Sequence, residues 1–343
     1  MPPSDIDPEL RARLNLAKLR ALVRDHAGAQ EVVERPMGAL PAVLAGIDGY
    51  VLATGGGGIG AALVWARRQE LRGALHIFAD PAPADGSAPA SEPGVLARRA
   101  RFFTLSPAVY AIEGATAALA EPAPHLPPIP ARADALAAVE PLREAGAEIV
   151  VEHGVVMAEI AGLEIGRVVA DPEGDGVHLE MGVGHHDREA SHIMEAVLSP
   201  QGVRGSVLDV VRSHRRIGQP PHLLTRLARQ RWLRSRIIAD PSLVGADTLE
   251  LLEPPLPRRN LVEPVPALCA GRTTAGHPLV VACAVGVDLE AVPTAADARD
   301  RFDPDAELIY ATPARDQYPV VRELATMLVR PARLVALEGD WVD

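Results

Sequence analysis

The sequence predicts an α/β protein: two similar α/β repeats, each a mixed central sheet flanked by helices, joined by a β-rich middle segment. Three observations lead there. Leu40-Pro41-Ala42-Val43-Leu44-Ala45-Gly46 is echoed by Val265-Pro266-Ala267-Leu268-Cys269-Ala270-Gly271. Val109-Tyr110-Ala111-Ile112-Glu113-Gly114 is echoed by Arg333-Leu334-Val335-Ala336-Leu337-Glu338-Gly339, and the two motifs stand 68 residues apart in both copies. Between these anchors each copy reads strand, helix, strand, helix, strand. The expected boundaries are 1–121 for the first repeat, 122–131 for a proline-rich linker, 132–221 for the middle segment and 222–343 for the second repeat.

In chain order, Asp7-Pro8 supplies an N-cap acceptor and a first-turn proline, and Leu10, Leu14, Ala17 and Ala21 continue at helical spacing to Gly28. Residues 30–33, 41–45 and 51–54 read as strands, 61–69 as a helix and 75–79 as a strand. A Pro/Ala/Ser/Gly loop fills 81–93, then 94–103 reads as a helix and 109–112 as the last strand of the copy. The middle segment opens with a helix closing at Ala145-Gly146. Strands follow at 147–151, 155–160, 163–170 and 177–183, with Asp171-Pro172-Glu173-Gly174-Asp175-Gly176 as a hairpin turn. Helices are expected over 187–198, 203–214 and 223–239. The second copy then continues with strands at 249–252, 267–270 and 279–285, a helix at 295–302, a strand at 308–311, a helix at 320–328 and a strand at 334–337.

Hydrophobic residues make up 48 % and charged residues 23 %, a globular balance, while aromatics are only 3 %, so Ala, Val, Leu and Ile must fill the core. The net charge of −11 gives no overall attraction to nucleic acid. Cys269 and Cys283 lie in apolar runs and read as small buried hydrophobes, which suits a reducing compartment. The start has no basic-then-apolar leader, and the longest apolar run, 50–66, is glycine-rich and too short for a span, so a cytoplasmic protein without a membrane partner is expected. Lys18, in the first expected helix, is the single lysine.

Gly55, Gly57 and Gly60 form G-x-G-x-x-G between a strand and a helix, and Asp80 ends the next strand. Such glycines let the backbone approach a pyrophosphate at a helix N-terminus while the acid takes ribose hydroxyls. The segment resembles the opening of Rossmann enzymes such as short-chain dehydrogenases. That resemblance implies an NAD(P)-binding oxidoreductase with Gly55, Gly57, Gly60 and Asp80 as cofactor ligands. The Tyr-x-x-x-Lys of short-chain dehydrogenases has no counterpart here, and the second copy places Ala284-Val285-Gly286-Val287-Asp288-Leu289 at the same point.

The order helix, three antiparallel strands, helix, strand, helix, strand resembles the PD-(D/E)xK, restriction-endonuclease-like fold, most closely over 223–337. The family's acid-x-lysine position falls on Cys283-Ala284-Val285 in one copy and Thr54-Gly55-Gly56 in the other, and its second-strand acid on Cys269-Ala270 or Leu44-Ala45. The resemblance therefore implies a degenerate, non-catalytic relative that binds nucleic acid or a protein and needs no cofactor.

Two clusters remain. Glu164 and Glu180 lie on strands joined by a tight turn, and side by side they would share a proton or hold a cation. Nearby stand His185, His186 and Asp187, so a divalent metal and a metal-dependent hydrolase form a further alternative. Between Arg204 and Arg236, nine arginines face one acid, Asp209. Arg212, Arg215, Arg216, Arg229 and Arg234, with Trp232 to stack on a base, are the expected nucleic-acid contacts. A duplicated chain often packs as a pseudo-twofold pair, by the logic that also permits an oligomer. The leading expectation is a non-enzymatic binding protein.

Overall fold

The computed structural model describes residues 7–28, 31–53, 58–81, 92–171, 174–182, 208–216, 218, 222–258 and 265–339. The chain is α/β, with helices flanking three sheets. By internal contacts it divides into two compact units. The first comprises Met1–His125, Asp288–Asp297 and Tyr318–Ala332; the second comprises Leu126–Val287, Ala298–Gln317 and Arg333–Asp343.

In the first unit α1 (Pro8–Ala27) begins where the Asp7 carboxylate accepts the Glu9 N–H at 2.8 Å and ends at Gly28, whose φ of +60° suits only a residue without a Cβ. The sheet contains β1 (Val33–Glu34), β2 (Ala42–Ala45), β3 (Asp48–Ala53), β4 (Leu75–Ala79), β5 (Ala108–Glu113) and β6 (Thr116–Leu119), in that order. The β1–β2, β2–β3 and β5–β6 pairs are antiparallel, while β3–β4 and β4–β5 are parallel. The two parallel steps need crossovers, supplied by α2 (Ile59–Arg68) and α3 (Pro93–Ala100). On one face Leu19, Leu22 and Val23 of α1 pack on Val43, Tyr50, Leu52, Phe78 and Ile112. Gly49 leaves room for the Trp65 ring, whose indole N–H donates to the Arg35 carbonyl at 2.7 Å.

The second unit holds two sheets. An antiparallel one contains β7 (Glu148–Glu152), β8 (Val155–Ile160), β9 (Leu163–Ala170) and β10 (Val177–Met181), in the order β10-β9-β8-β7. It is backed by α4 (Ala133–Glu144) and the helical residues 208–214, through Leu142, Leu208 and Val211. After α5 (Leu223–Arg226) and α6 (Arg229–Ala239) comes a five-stranded sheet in chain order: β11 (Ala246–Leu252), β12 (Ala267–Thr273), β13 (Pro278–Cys283), β14 (Glu307–Pro313) and β15 (Arg333–Leu337). Trp232, Leu233 and Ile237 of α6 pack on Cys269, Leu279, Val281 and Cys283. The crossovers here are α7 (Ala291–Phe302) and α8 (Pro319–Met327); α8 and residues 291–297 of α7 belong to the first unit.

Strand order and directions match between β1–β5 and β11–β15: two antiparallel pairs, then two parallel ones. Within the first unit Phe103 and Leu328 form an isolated antiparallel bridge, in which the Thr104 N–H donates to the Met327 carbonyl at 2.9 Å and the Val329 N–H to the Phe102 carbonyl at 2.8 Å. Phe103 and Leu328 stand 225 positions apart, the separation that also relates Gly46 to Gly271 and Gly114 to Gly339.

Several expected elements differ. The first strand is Val33–Glu34 instead of 30–33, and β6 has no counterpart in the sequence reading, because Thr-Ala-Ala-Leu carries no alternating apolar signal. The helix expected at 223–239 is two helices, broken at Leu227–Ala228, where Ala228 has φ +44°. Arg215 explains the break. Its buried guanidinium donates to the carbonyls of Ala161, Leu224, Leu227 and Ala228 at 3.0, 2.7, 2.7 and 3.3 Å. Carbonyls taken by a side chain no longer need a continuing helix. Burial pushes Arg215 down to about 9, so it is still charged at neutral pH. Arg215→Ala should lower the unfolding free energy by about 3 kcal/mol or more, since several carbonyls lose a charged donor together; a urea titration followed by circular dichroism measures it.

Candidate functional site

The helix that follows the glycine-rich turn is already capped from within the chain. Gly55 and Gly57 lie outside the described residues, but Gly60 opens α2. Its N–H donates to the Glu290 carboxylate at 2.9 Å, and the Ala61 N–H reaches the same oxygen at 3.3 Å. A Cβ on Gly60 would collide with the Leu289 carbonyl oxygen, and one on Gly58 with the Glu290 carboxylate. These two glycines therefore make room for Leu289 and Glu290, and a carboxylate sits where a helix N-terminus favours an anion. Glu290 keeps some exposed surface as a residue, yet its carboxylate is enclosed; burial pushes it up to about 7, against the pull of Arg99 and the two N–H donors. Asp80, at the end of β4, is held by Lys18 of α1 at 2.5 Å.

The paired acids of the middle segment do not face each other. The β9–β10 register puts Glu180 opposite Arg167, while Glu164 stands opposite Glu159 on β8. Glu164 is buried and takes both arms of Arg167 at 2.9 Å. Glu180 lies 3.8 Å from His178, whose other ring nitrogen meets Asp171 at 2.5 Å. Counting outward from the 171–176 turn pairs Glu180 with Arg167, as observed, and leaves Glu164 three residues further along β9. His185, His186 and Asp187 lie outside the described residues. Among the described residues no group of three or more His, Cys, Asp or Glu side chains could hold a metal ion.

The arginine island is largely turned inward. Arg215, Trp232 and Arg234 are 4 %, 5 % and 1 % exposed, with the Arg215 guanidinium 4.9 Å from the Trp232 ring centre. Arg234 donates to Glu159 at 2.8 Å; Arg231 bonds both Glu159 and Glu152; Arg258 reaches Glu152 at 3.0 Å. Burial pushes the Glu152 carboxyl up, but Arg231, Arg258 and Arg234 outweigh it and hold the group below its ordinary value. Buried forks of this kind cannot reach a nucleic acid. Arg212 donates to the Ala145 carbonyl, Arg229 is half-buried, and Arg216 is exposed.

One concave surface of the first unit is one no motif pointed to. An open groove of about 800 Å³ is walled by Ala66, Arg67, Glu70 and Leu71 at the end of α2, by Thr104 and Leu105 after α3, and by Glu323, Thr326 and Met327 of α8. The Phe103–Leu328 bridge fixes the two chain segments that meet at its floor. Arg67, Glu70 and Glu323 are exposed, and none forms an ion pair among the described residues. Their separation along the chain, from 67 to 323, hides them from any local pattern.

A second cluster also escaped the sequence reading. Tyr50 stacks on His76 at 4.6 Å and 10°, the Tyr110 hydroxyl lies 3.3 Å from His76 Nδ1, and the His26 ring meets Tyr110 edge-on at 4.4 Å. Burial lowers the His76 pKa. Tyr50 and Tyr110 pack with α1 against the sheet, so the cluster belongs to the core face.

No family model matches the chain, and neither a curated protein nor a solved structure matches it.

Two substitutions test the capped helix. Gly60→Ala would gain about 1 kcal/mol by helix propensity alone. The Leu289 carbonyl cannot withdraw, so overpacking should prevail and lower stability by about 1–3 kcal/mol; thermal and urea unfolding give the sign. Glu290 titrates near 7 in the fold and near 4.5 in the unfolded chain. Between those values the fold binds more protons, so its stability falls as pH rises from 4.5 to 7 and is constant above. Glu290→Gln keeps an acceptor for the Gly60 N–H without the charge. It should match the parent at pH 4.5 and exceed it by about 1–3 kcal/mol at pH 8, measured by denaturant titration across pH.

Proposed function

We propose that this protein acts by binding a protein partner rather than by catalysis, and that the groove between α2 and α8 is the docking place. One observation carries the reading: a groove of ligand-binding size is lined by three charged side chains, Arg67, Glu70 and Glu323, that pair with nothing among the described residues. Several other charges of the unit do find partners, although exposed ones such as Arg72, Arg101 and Glu121 do not among the described residues. Asp297 takes Arg98 and Arg99, Glu290 caps α2, and Lys18 holds Asp80.

Two further features favour binding over chemistry. The positions that carry metal-binding acids and lysine in PD-(D/E)xK enzymes are Cys269, Ala270, Cys283, Ala284 and Val285 here, all buried and apolar in character. Burial raises the Cys283 thiol well above its ordinary value, which keeps it protonated and unreactive. The groove lining also mixes both charge signs with the apolar side chains of Ala66, Leu71, Leu105 and Met327, a surface suited to a polypeptide.

A displayed random-peptide library tests this. Selection on the full chain, with counter-selection on the Thr326→Trp variant, should enrich peptides that bind the parent and lose at least tenfold in affinity on the variant. Thr326 is an exposed position on α8, so its replacement fills the groove and leaves the melting temperature within a few degrees. A library that enriches nothing over the variant sinks the docking reading.

A further inference from the structure

The opposite ledge of the first unit holds a ligand of its own: the chain. Residues 120–125, Ala-Glu-Pro-Ala-Pro-His, are neither helix nor strand and lie along α3. The Ala123 N–H donates to the Gly94 carbonyl at 2.9 Å. Arg98 Nη1 donates to the carbonyls of Ala123 and Pro124 at 2.7 and 2.9 Å, and His125 Nδ1 lies 3.7 Å from Asp297. Gly94 permits the approach, because a Cβ there would come within 2.9 Å of the Ala123 Cβ. Proline suits such a seat. It brings no N–H needing a partner, and its fixed φ means little backbone freedom is lost on docking.

One residue of the open groove corresponds by sequence position to the filled ledge. Shifted by the 225 positions that relate Phe103 to Leu328, Arg98 falls on Glu323, which lines the groove. On the filled ledge a guanidinium reads main-chain carbonyls while a carboxylate faces a basic ring. In the groove Arg67 is the free guanidinium, and Glu70 and Glu323 are the free carboxylates.

Building on the docking reading above, we propose that the occupant of the groove is an extended, proline-rich segment of a partner protein that carries a basic residue. Its carbonyls meet Arg67, and its basic side chain meets Glu70 and Glu323. The two carboxylates against one guanidinium favour a segment with net positive charge.

The probe is a fluorescein-labelled peptide with the sequence of residues 120–130, with arginine in place of the histidine and glutamine in place of the glutamate, read by anisotropy on the full chain. A second peptide has every proline changed to alanine. The proline peptide should bind saturably and at least tenfold more tightly than the alanine peptide. Binding should vanish with Thr326→Trp and weaken at least threefold with Glu70→Arg, a variant at the α2 end that decides the matter if Thr326→Trp fails to fold. Equal binding of the two peptides, or binding indifferent to both variants, overturns the proposal. If neither peptide binds while the random library still yields groove-dependent ligands lacking proline, the proline-rich occupant is wrong and the docking site stands. If the library yields nothing, the docking reading itself falls.

Discussion

Guanidinium groups buried against carboxylates and carbonyls hold the layers within each unit together. In the first unit Asp297 on α7 takes Arg98 at 2.8 Å and Arg99 at 3.1 Å, with all three side chains at 6 % exposure or less. In the second, α6 lays Trp232, Leu233 and Ile237 on the five-stranded sheet and turns Arg231 and Arg234 to Glu152 and Glu159 of the four-stranded one. Arg215 gathers the carbonyls where α5 stops. Charges taken from water cost several kcal/mol each, which close ion pairs and hydrogen bonds offset, although Arg234 Nε has no hydrogen-bond partner among the described residues. Arginine offsets that cost better than lysine, because its planar fork reaches two or more acceptors at once. The arginine-rich, almost lysine-free composition thus has a structural use.

The two segments that share a strand order contribute different residues. Where one supplies Gly58 and Gly60, the other supplies Leu289 and Glu290 to fill the space. At Gly60, the described glycine of a pattern that looks made for a phosphate, the N–H meets a carboxylate more than two hundred residues away. The same asymmetry separates the two ledges of the first unit: one side presents Arg98 and is covered by residues 120–125, the other presents Glu323 and is open.

Much of the fold was legible because its signals are local. Leu75–Ala79, Val155–Ile160 and Leu163–Ala170 were read to the residue, since each is an apolar or alternating run bounded by turn formers. The first five strands of the first sheet share order and direction with the five strands of the third. The site was less legible. The Glu164–Glu180 pair was expected in error, because counting outward from the 171–176 turn already sets Glu180 opposite Arg167. The arginine island looked like a surface patch because sequence cannot reveal that Glu152 and Glu159 wait at the right depth for Arg231 and Arg234. The groove depends on α2 and α8 meeting through the bridge at Phe103 and Leu328, which only long-range packing decides.

That bridge has a consequence for biogenesis. The first unit is discontinuous: it needs Asp288–Asp297 and Tyr318–Ala332 as well as the N-terminal stretch. While the polypeptide is still leaving the ribosome, its early sheet can form, but the α2 cap, the Asp297 clasp and the groove floor have no partners until the last few dozen residues emerge. A large share of synthesis therefore passes with the apolar flank of α2 and α3 uncovered, a window in which a chaperone would be needed and premature termination would leave an aggregation-prone fragment.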